Sequence, residues 1–140
     1  MRNIIKSFFF LVCLSFAANV HAQFTGGLYT DGSHLKFALG YNINDKFWAD
    51  AKFYPGLELR EFTPEITMHY NFIRSPKHEI YTGLGFFVNE INAIVIPIGI
   101  AIRPFESLKN FSFDLEIKPV IDEDGYPYII GAVGCRYIIK

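Results

Sequence analysis

From Leu35 to Ile43 the chain alternates without a break. Leu35, Phe37, Leu39, Tyr41 and Ile43 fall on one face, and Lys36, Ala38, Gly40 and Asn42 on the other. A period of two belongs to a β-strand, whose successive side chains point to opposite faces, and not to a helix. The pattern recurs between turn-forming stretches: "TDGS", "NIND", "PGLELRE", "RSPKHE", "VNEIN", "PFESLKN" and "DEDGYP". Alternation and turn chemistry together predict strands at about 24–30, 34–43, 47–54, 61–72, 78–88, 92–103, 110–119 and 126–139. The separators are short, so sequence neighbours should pair as antiparallel hairpins in an eight-stranded meander. The expected fold is all-β: a closed eight-stranded antiparallel up-and-down β-barrel.

Alternation alone does not say which face is inside. The apolar face carries, among others, Phe37, Leu39, Phe62, Met68, Leu84, Phe86, Phe113, Leu115 and the isoleucine row Ile94, Ile96, Ile98, Ile100 and Ile102. An eight-stranded barrel is barely wide enough to hold its own inward side chains, so these bulky residues would overfill it and belong outside. The opposite face is rich in Gly, Ala and Thr and carries Lys36, Lys52, Arg103, Lys118 and Arg136 against Asp50, Glu65, Glu79, Asp114 and Glu116. Five cations facing five anions predict a lumen filled by paired charges, with no open pore. A water-facing exterior would be rich in Lys and Glu, so the isoleucine row is expected to face lipid and the barrel to span a membrane. With both termini on one side, Tyr41, Phe47, Tyr70, Phe72, Phe111 and Tyr137 cluster near that side as an interfacial aromatic girdle. Pro97 sits inside the isoleucine row, where a closed barrel has no edge to excuse a missing N–H; a bulge or a locally broken ladder is expected there.

The chain's beginning changes the setting. Arg2 and Lys6 precede an apolar stretch from Ser7 to Ala18, and Val20, His21 and Ala22 supply a cleavage-like site, so residues 1–22 read as a secretory signal peptide. Cys13 lies within that leader, preceded by Val12 where a lipoprotein signal wants a small residue. The mature chain, 23–140, has the length of one domain, and Cys135, its only thiol, can form no internal disulfide. No apolar stretch after the leader is long enough for a membrane-spanning helix. Without Arg2 and Lys6 the 13 basic residues become 11, against 14 acidic, which gives no electrostatic case for nucleic acid.

At this point the chain resembles the small outer-membrane β-barrel proteins of Gram-negative bacteria, particularly the short barrels of many Bacteroidetes. The resemblance is carried by the leader ending "VHAQ", the hairpin "HYNFIRSPKHEIYTGLGFFV", the segment "IPIGIAIRPFESLKNFSFDLEIKP" and the closing strand "YIIGAVGCRYIIK". It covers the mature chain as a pattern and brings no fixed catalytic residues. It implies export, localisation in the outer membrane, contact with outer-membrane lipid, and insertion by the barrel-assembly machinery. That machinery usually reads a last strand closing on an aromatic; here the chain ends Ile138, Ile139, Lys140, with Tyr137 the nearest aromatic.

Some barrels of this kind are enzymes acting on lipid A or phospholipid. The candidates for such chemistry are His69, inward beside Glu65 and Thr67, and Ser112, inward near Asp114 and Glu116. The elements of a Ser/His/acid triad occur by chance in most chains, so a hydrogen-bonded lumen histidine is the plainer account of His69. "DEDG", Asp122 to Gly125, lacks the further ligands of a calcium loop and reads as a turn, while His34 and His78 lack companions at metal spacing. Neither metal nor cofactor is expected. Cys135 falls on the outward phase as a small hydrophobe. The leading expectation is a monomeric outer-membrane barrel with a structural or surface-interaction role. The alternatives are a barrel enzyme acting on lipid, or a soluble exported barrel binding an apolar ligand.

Overall fold

The structure, a computed structural model, describes residues 23–53, 64–88 and 92–139. The leader with Cys13, the segment holding Phe62, and Lys140 lie outside the described residues.

Among the described residues, nine strands form one antiparallel sheet: β1 (Gln23–Thr30), β2 (Leu35–Asn42), β3 (Phe47–Phe53), β4 (Glu65–Arg74), β5 (His78–Phe87), β6 (Ala93–Val95), β7 (Ile98–Ile102), β8 (Phe111–Asp122) and β9 (Pro127–Ile139). Sequence neighbours pair, except β6 with β7, and β1 closes on β9 from Phe24↔Ile139 to Thr30↔Val133. β6 and β7 lie end to end between β5 and β8, so the closed barrel has eight staves. The turns follow from short polar side chains and glycines. Asp31 Oδ1 accepts the N–H groups of Ser33 and His34, while Asn44 Oδ1 accepts those of Lys46 and Phe47. Gly32 and Gly125 take the positive φ values of 91° and 81° that L side chains avoid. Asp122 Oδ1 accepts the Tyr126 N–H, so "DEDG" serves a turn.

Of the two expectations at Pro97, a bulge or a locally broken ladder, the sixth stave shows the broken ladder. Val95↔Val120 and Ile98↔Ile117 on one side, and Gly85↔Val95 and Thr82↔Ile98 on the other, keep one register across the gap. No residue is inserted. Ile96 N donates to the Pro119 carbonyl and Gly83 N to the Pro97 carbonyl, both at 2.9 Å. The return bonds, to the carbonyls of Ile96 and Gly83, have no N–H to make them because both partners are proline. Two prolines on neighbouring staves therefore break the ladder at one level without shifting it. The bulge falls instead on β4, where the register with β5 shifts between Asn71 and Ile73. The extra residue there leaves Phe72 and Ile73 both outward and turns Arg74 toward Glu79.

The barrel is inside out by the standard of a water-soluble domain. Leu39, Leu84, Ile117, Phe24 and Ile94 stand exposed on the outer surface, while Lys52, Glu65, His69, Asp114 and Lys118 are each at most 1% exposed inside it. The isoleucine row faces outward along β6 and β7, with Ile100 half-buried. The described aromatics near the termini form ring contacts on the outside: Phe24 with Tyr41 at 5.3 Å, Phe47 with Tyr70 at 5.1 Å, and Phe111 with Phe113 at 5.0 Å. No described helix is long and apolar enough to cross a membrane, which says nothing about a barrel.

Candidate functional site

The lumen is where the polar chemistry collects. All ten predicted lumen charges lie on its face, with Arg103 half-buried at the rim that carries the termini and the other nine buried. Every one of them has an ion-pair partner within 4.0 Å, which offsets part of the cost of removing a charge from water.

The pairs form a column. From the rim opposite the termini, Asp31 faces Lys36 at 3.8 Å, Lys36 faces Glu65 at 3.9 Å, and Glu65 holds Lys118 at 2.9 Å. Lys118 lies 3.9 Å from Glu116, which takes Lys52 at 3.1 Å; Lys52 in turn reaches Asp50 at 3.4 Å. The Lys52 ammonium also sits 4.5 Å from the centre of the Tyr29 ring, whose hydroxyl donates to Asp114. Arg136 pairs with Asp114 at 3.4 Å and with Glu79 at 3.7 Å. Glu79 then receives Arg103 at 2.9 Å and Arg74 at 3.1 Å, and Arg74 ends the column on Asp45 at 2.8 Å. Outside the staves, burial would raise the Asp31 carboxyl, but the N–H groups of His34 and Ser33 and the Lys36 charge outweigh it and hold it below its ordinary value.

Three large aromatic residues complete the filling, and the expectation of a small-residue lumen missed them. Tyr29, Trp48 and Tyr81 are each at most 2% exposed. The inward glycines are their seats: a Cβ on Gly99 would stand 2.4 Å from the Tyr81 ring, and one on Gly134 would stand 2.3 Å from Tyr29. Trp48 stacks on His69 with ring centres 3.7 Å apart, carries the Arg136 guanidinium at 4.0 Å, and donates its indole N–H to Asn71. Tyr81 donates to Glu116 at 2.8 Å. The signal was in the sequence, since Trp48 precedes Asp50 by two and Tyr81 follows Glu79 by two, which places both on the inward phase. Toward the rim opposite the termini, Phe87, Ala93, Val95 and Val120 form an apolar plug.

The hydrolytic candidates do not assemble. His69, Ser112 and Glu65 are all buried in the lumen, but His69 Nε2 meets Asp50 Oδ1 at 3.1 Å, Ser112 Oγ donates to Asp114 at 2.8 Å, and Glu65 takes Lys118. A nucleophile, base and orienting acid must bond to one another, and here each bonds elsewhere. Cys135 is half-buried on β9. At the terminal rim a vestibule of about 850 Å³ is lined by Arg74, Lys77, Arg103, Lys109, Phe105 and Ile138, among others. No protein-family model, no curated protein and no solved structure matches the chain, so its own geometry carries the functional reading.

Proposed function

We propose that the chain is an exported, integral outer-membrane β-barrel, monomeric, without a channel, with a structural or surface-interaction role. One observation carries this reading: within the described staves the side chains facing outward are apolar, aromatic or small, while the charges are turned inward and paired, apart from Arg74 and Asp122 at strand ends. In water such an exterior would be an aggregation surface, and such an interior would cost desolvation without gaining apolar burial. Lipid removes the first cost. The dimensions agree: β1 has 8 residues and β8 has 12. At roughly 3.3 Å per residue and a tilt of roughly 40° these staves rise roughly 20 and 30 Å, either side of the ~25 Å apolar band of such barrels. Outer-membrane lipid and the barrel-assembly machinery are then the partners.

Cell fractionation with a detergent gel tests the proposal. The chain should pellet with outer membranes, resist carbonate extraction and run faster unheated than boiled; release as a soluble periplasmic species would overturn it. The purified barrel should carry no steady current in a planar bilayer, and an open-channel conductance would overturn the filled lumen. Replacing His69 with Ala should leave lipid A composition unchanged, and a change would revive the enzyme reading.

A further inference from the structure

The charges at the two rims are segregated by end. Among the described residues, Lys46, Arg74, Lys77, Arg103 and Lys109 all lie at the rim where the chain enters and leaves, against Asp45 and Glu106. The opposite rim carries Asp31, Asp122, Glu123 and Asp124 and, outside the lumen, no described Lys or Arg. Arg74 and Arg103 are tied to Asp45 and Glu79, and Lys77 faces Glu106 at 3.8 Å. Lys46 and Lys109 are exposed on turns and make no ion pair among the described residues.

The basic rim is continuous with the aromatic surface. The Phe105 and Phe111 rings lie 6.4 Å apart beside the vestibule, whose wall combines Phe105, Pro76 and Ile138 with Arg74, Lys77, Arg103 and Lys109. Cations bordering an aromatic belt at a membrane edge stand at the height of lipid headgroups, where long Lys side chains reach outward from apolar surroundings.

We propose that the rim bearing the termini binds the phosphates of anionic phospholipid in the leaflet it meets, through Lys46, Lys77 and Lys109 with Arg74 and Arg103 behind them. This rests on the membrane reading above. It assigns the two ends different lipid environments: the terminal rim attracts anionic headgroups, and the carboxylate rim repels them. The apolar wall beside the cations favours a lipid over a freely soluble anion, because it gives the glycerol and upper acyl segment something to cover.

Native mass spectrometry of the mature barrel, in neutral detergent with equimolar phosphatidylglycerol and phosphatidylethanolamine, tests the assignment. Phosphatidylglycerol adducts should exceed phosphatidylethanolamine adducts by roughly fivefold to thirtyfold, the attraction expected of one or two cations at an anionic surface. The preference should fall as ionic strength rises. The variant Lys77→Glu/Lys109→Glu should bring the ratio close to one, while Glu123→Gln/Asp124→Asn at the other rim should leave it unchanged. Equal adducts in the unaltered protein, a preference that survives Lys77→Glu/Lys109→Glu, or complete displacement by millimolar inorganic phosphate would each overturn it. The heat-shift gel on the same samples separates the two levels. A barrel that heat-shifts without lipid preference refutes the headgroup site alone, whereas a chain that never heat-shifts or pellets with membranes refutes the membrane reading beneath it.

Discussion

Replacing Glu116 with Gln removes one charge from the middle of the column while keeping the side chain's shape. In the unaltered barrel Glu116 takes Lys52 Nζ at 3.1 and 3.2 Å and the Tyr81 hydroxyl at 2.8 Å, and neither Glu116 nor Lys52 exposes its side chain. Breaking a buried pair on one side leaves the other charge uncompensated and costs about 3–5 kcal/mol. Lys52 keeps Asp50 at 3.4 Å, and Gln can still accept from Tyr81, so the low end, about 3 kcal/mol, is expected. Glu106→Gln is the matched control: its partner Lys77 lies 3.8 Å away, and the two side chains are 88% and 77% exposed. Removing that solvated pair should cost less than about 1 kcal/mol. Trp48, the chain's single tryptophan, sits in the lumen and reports unfolding by its fluorescence in denaturant. The pair Lys52→Met/Glu116→Leu should be less destabilised than the sum of its two single variants, since both ends of the interaction leave together. If Glu116→Gln costs no more than Glu106→Gln, the lumen is wet enough to screen its charges, and the argument for a dry, filled interior fails.

Three further outcomes follow from the same geometry. Gly99→Ala drives a Cβ to 2.4 Å from the Tyr81 ring, whereas Gly131→Ala meets nothing within 4 Å. Denaturant midpoints should show a loss of about 1–3 kcal/mol for the first and about 0.5 or less for the second, and equal effects would refute the seating of Tyr81 on Gly99. Pro97→Ala supplies the N–H that the Gly83 carbonyl lacks, so hydrogen exchange should find a protected amide at position 97; free exchange there would mean the ladder is broken for another reason. The Asp31 carboxyl is held below its ordinary value, so its stabilisation of the first turn is present above the unfolded carboxylate range and lost as pH falls through the folded value. The amides of Ser33 and His34 should therefore lose exchange protection on acidification, and in Asp31→Ala they should be unprotected at every pH.

A strict period of two, interrupted by Asp, Asn and Gly at turns, determined by itself that this chain forms antiparallel strands, and the clash between bulky outward residues and a narrow barrel determined which face points in. Both are local or volumetric facts, readable from residue types in order. Tertiary structure alone decided how the lumen is filled. Parity placed Lys52 and Glu116 on the inward face, but only the shear of the closed sheet brings two residues 64 positions apart to 3.1 Å. Closure likewise seats Tyr81 on Gly99 and Tyr29 on Gly134, which turns the glycines from gaps into sockets. Pro97 alone predicts the break toward β5; that the ladder to β8 fails at the same level depends on Pro119 standing opposite Ile96, a coincidence of register that no single strand records. His69, Ser112 and Glu65 share the inward phase, yet the barrel gives each a different partner, because phase fixes a face while the stagger between staves fixes the neighbour.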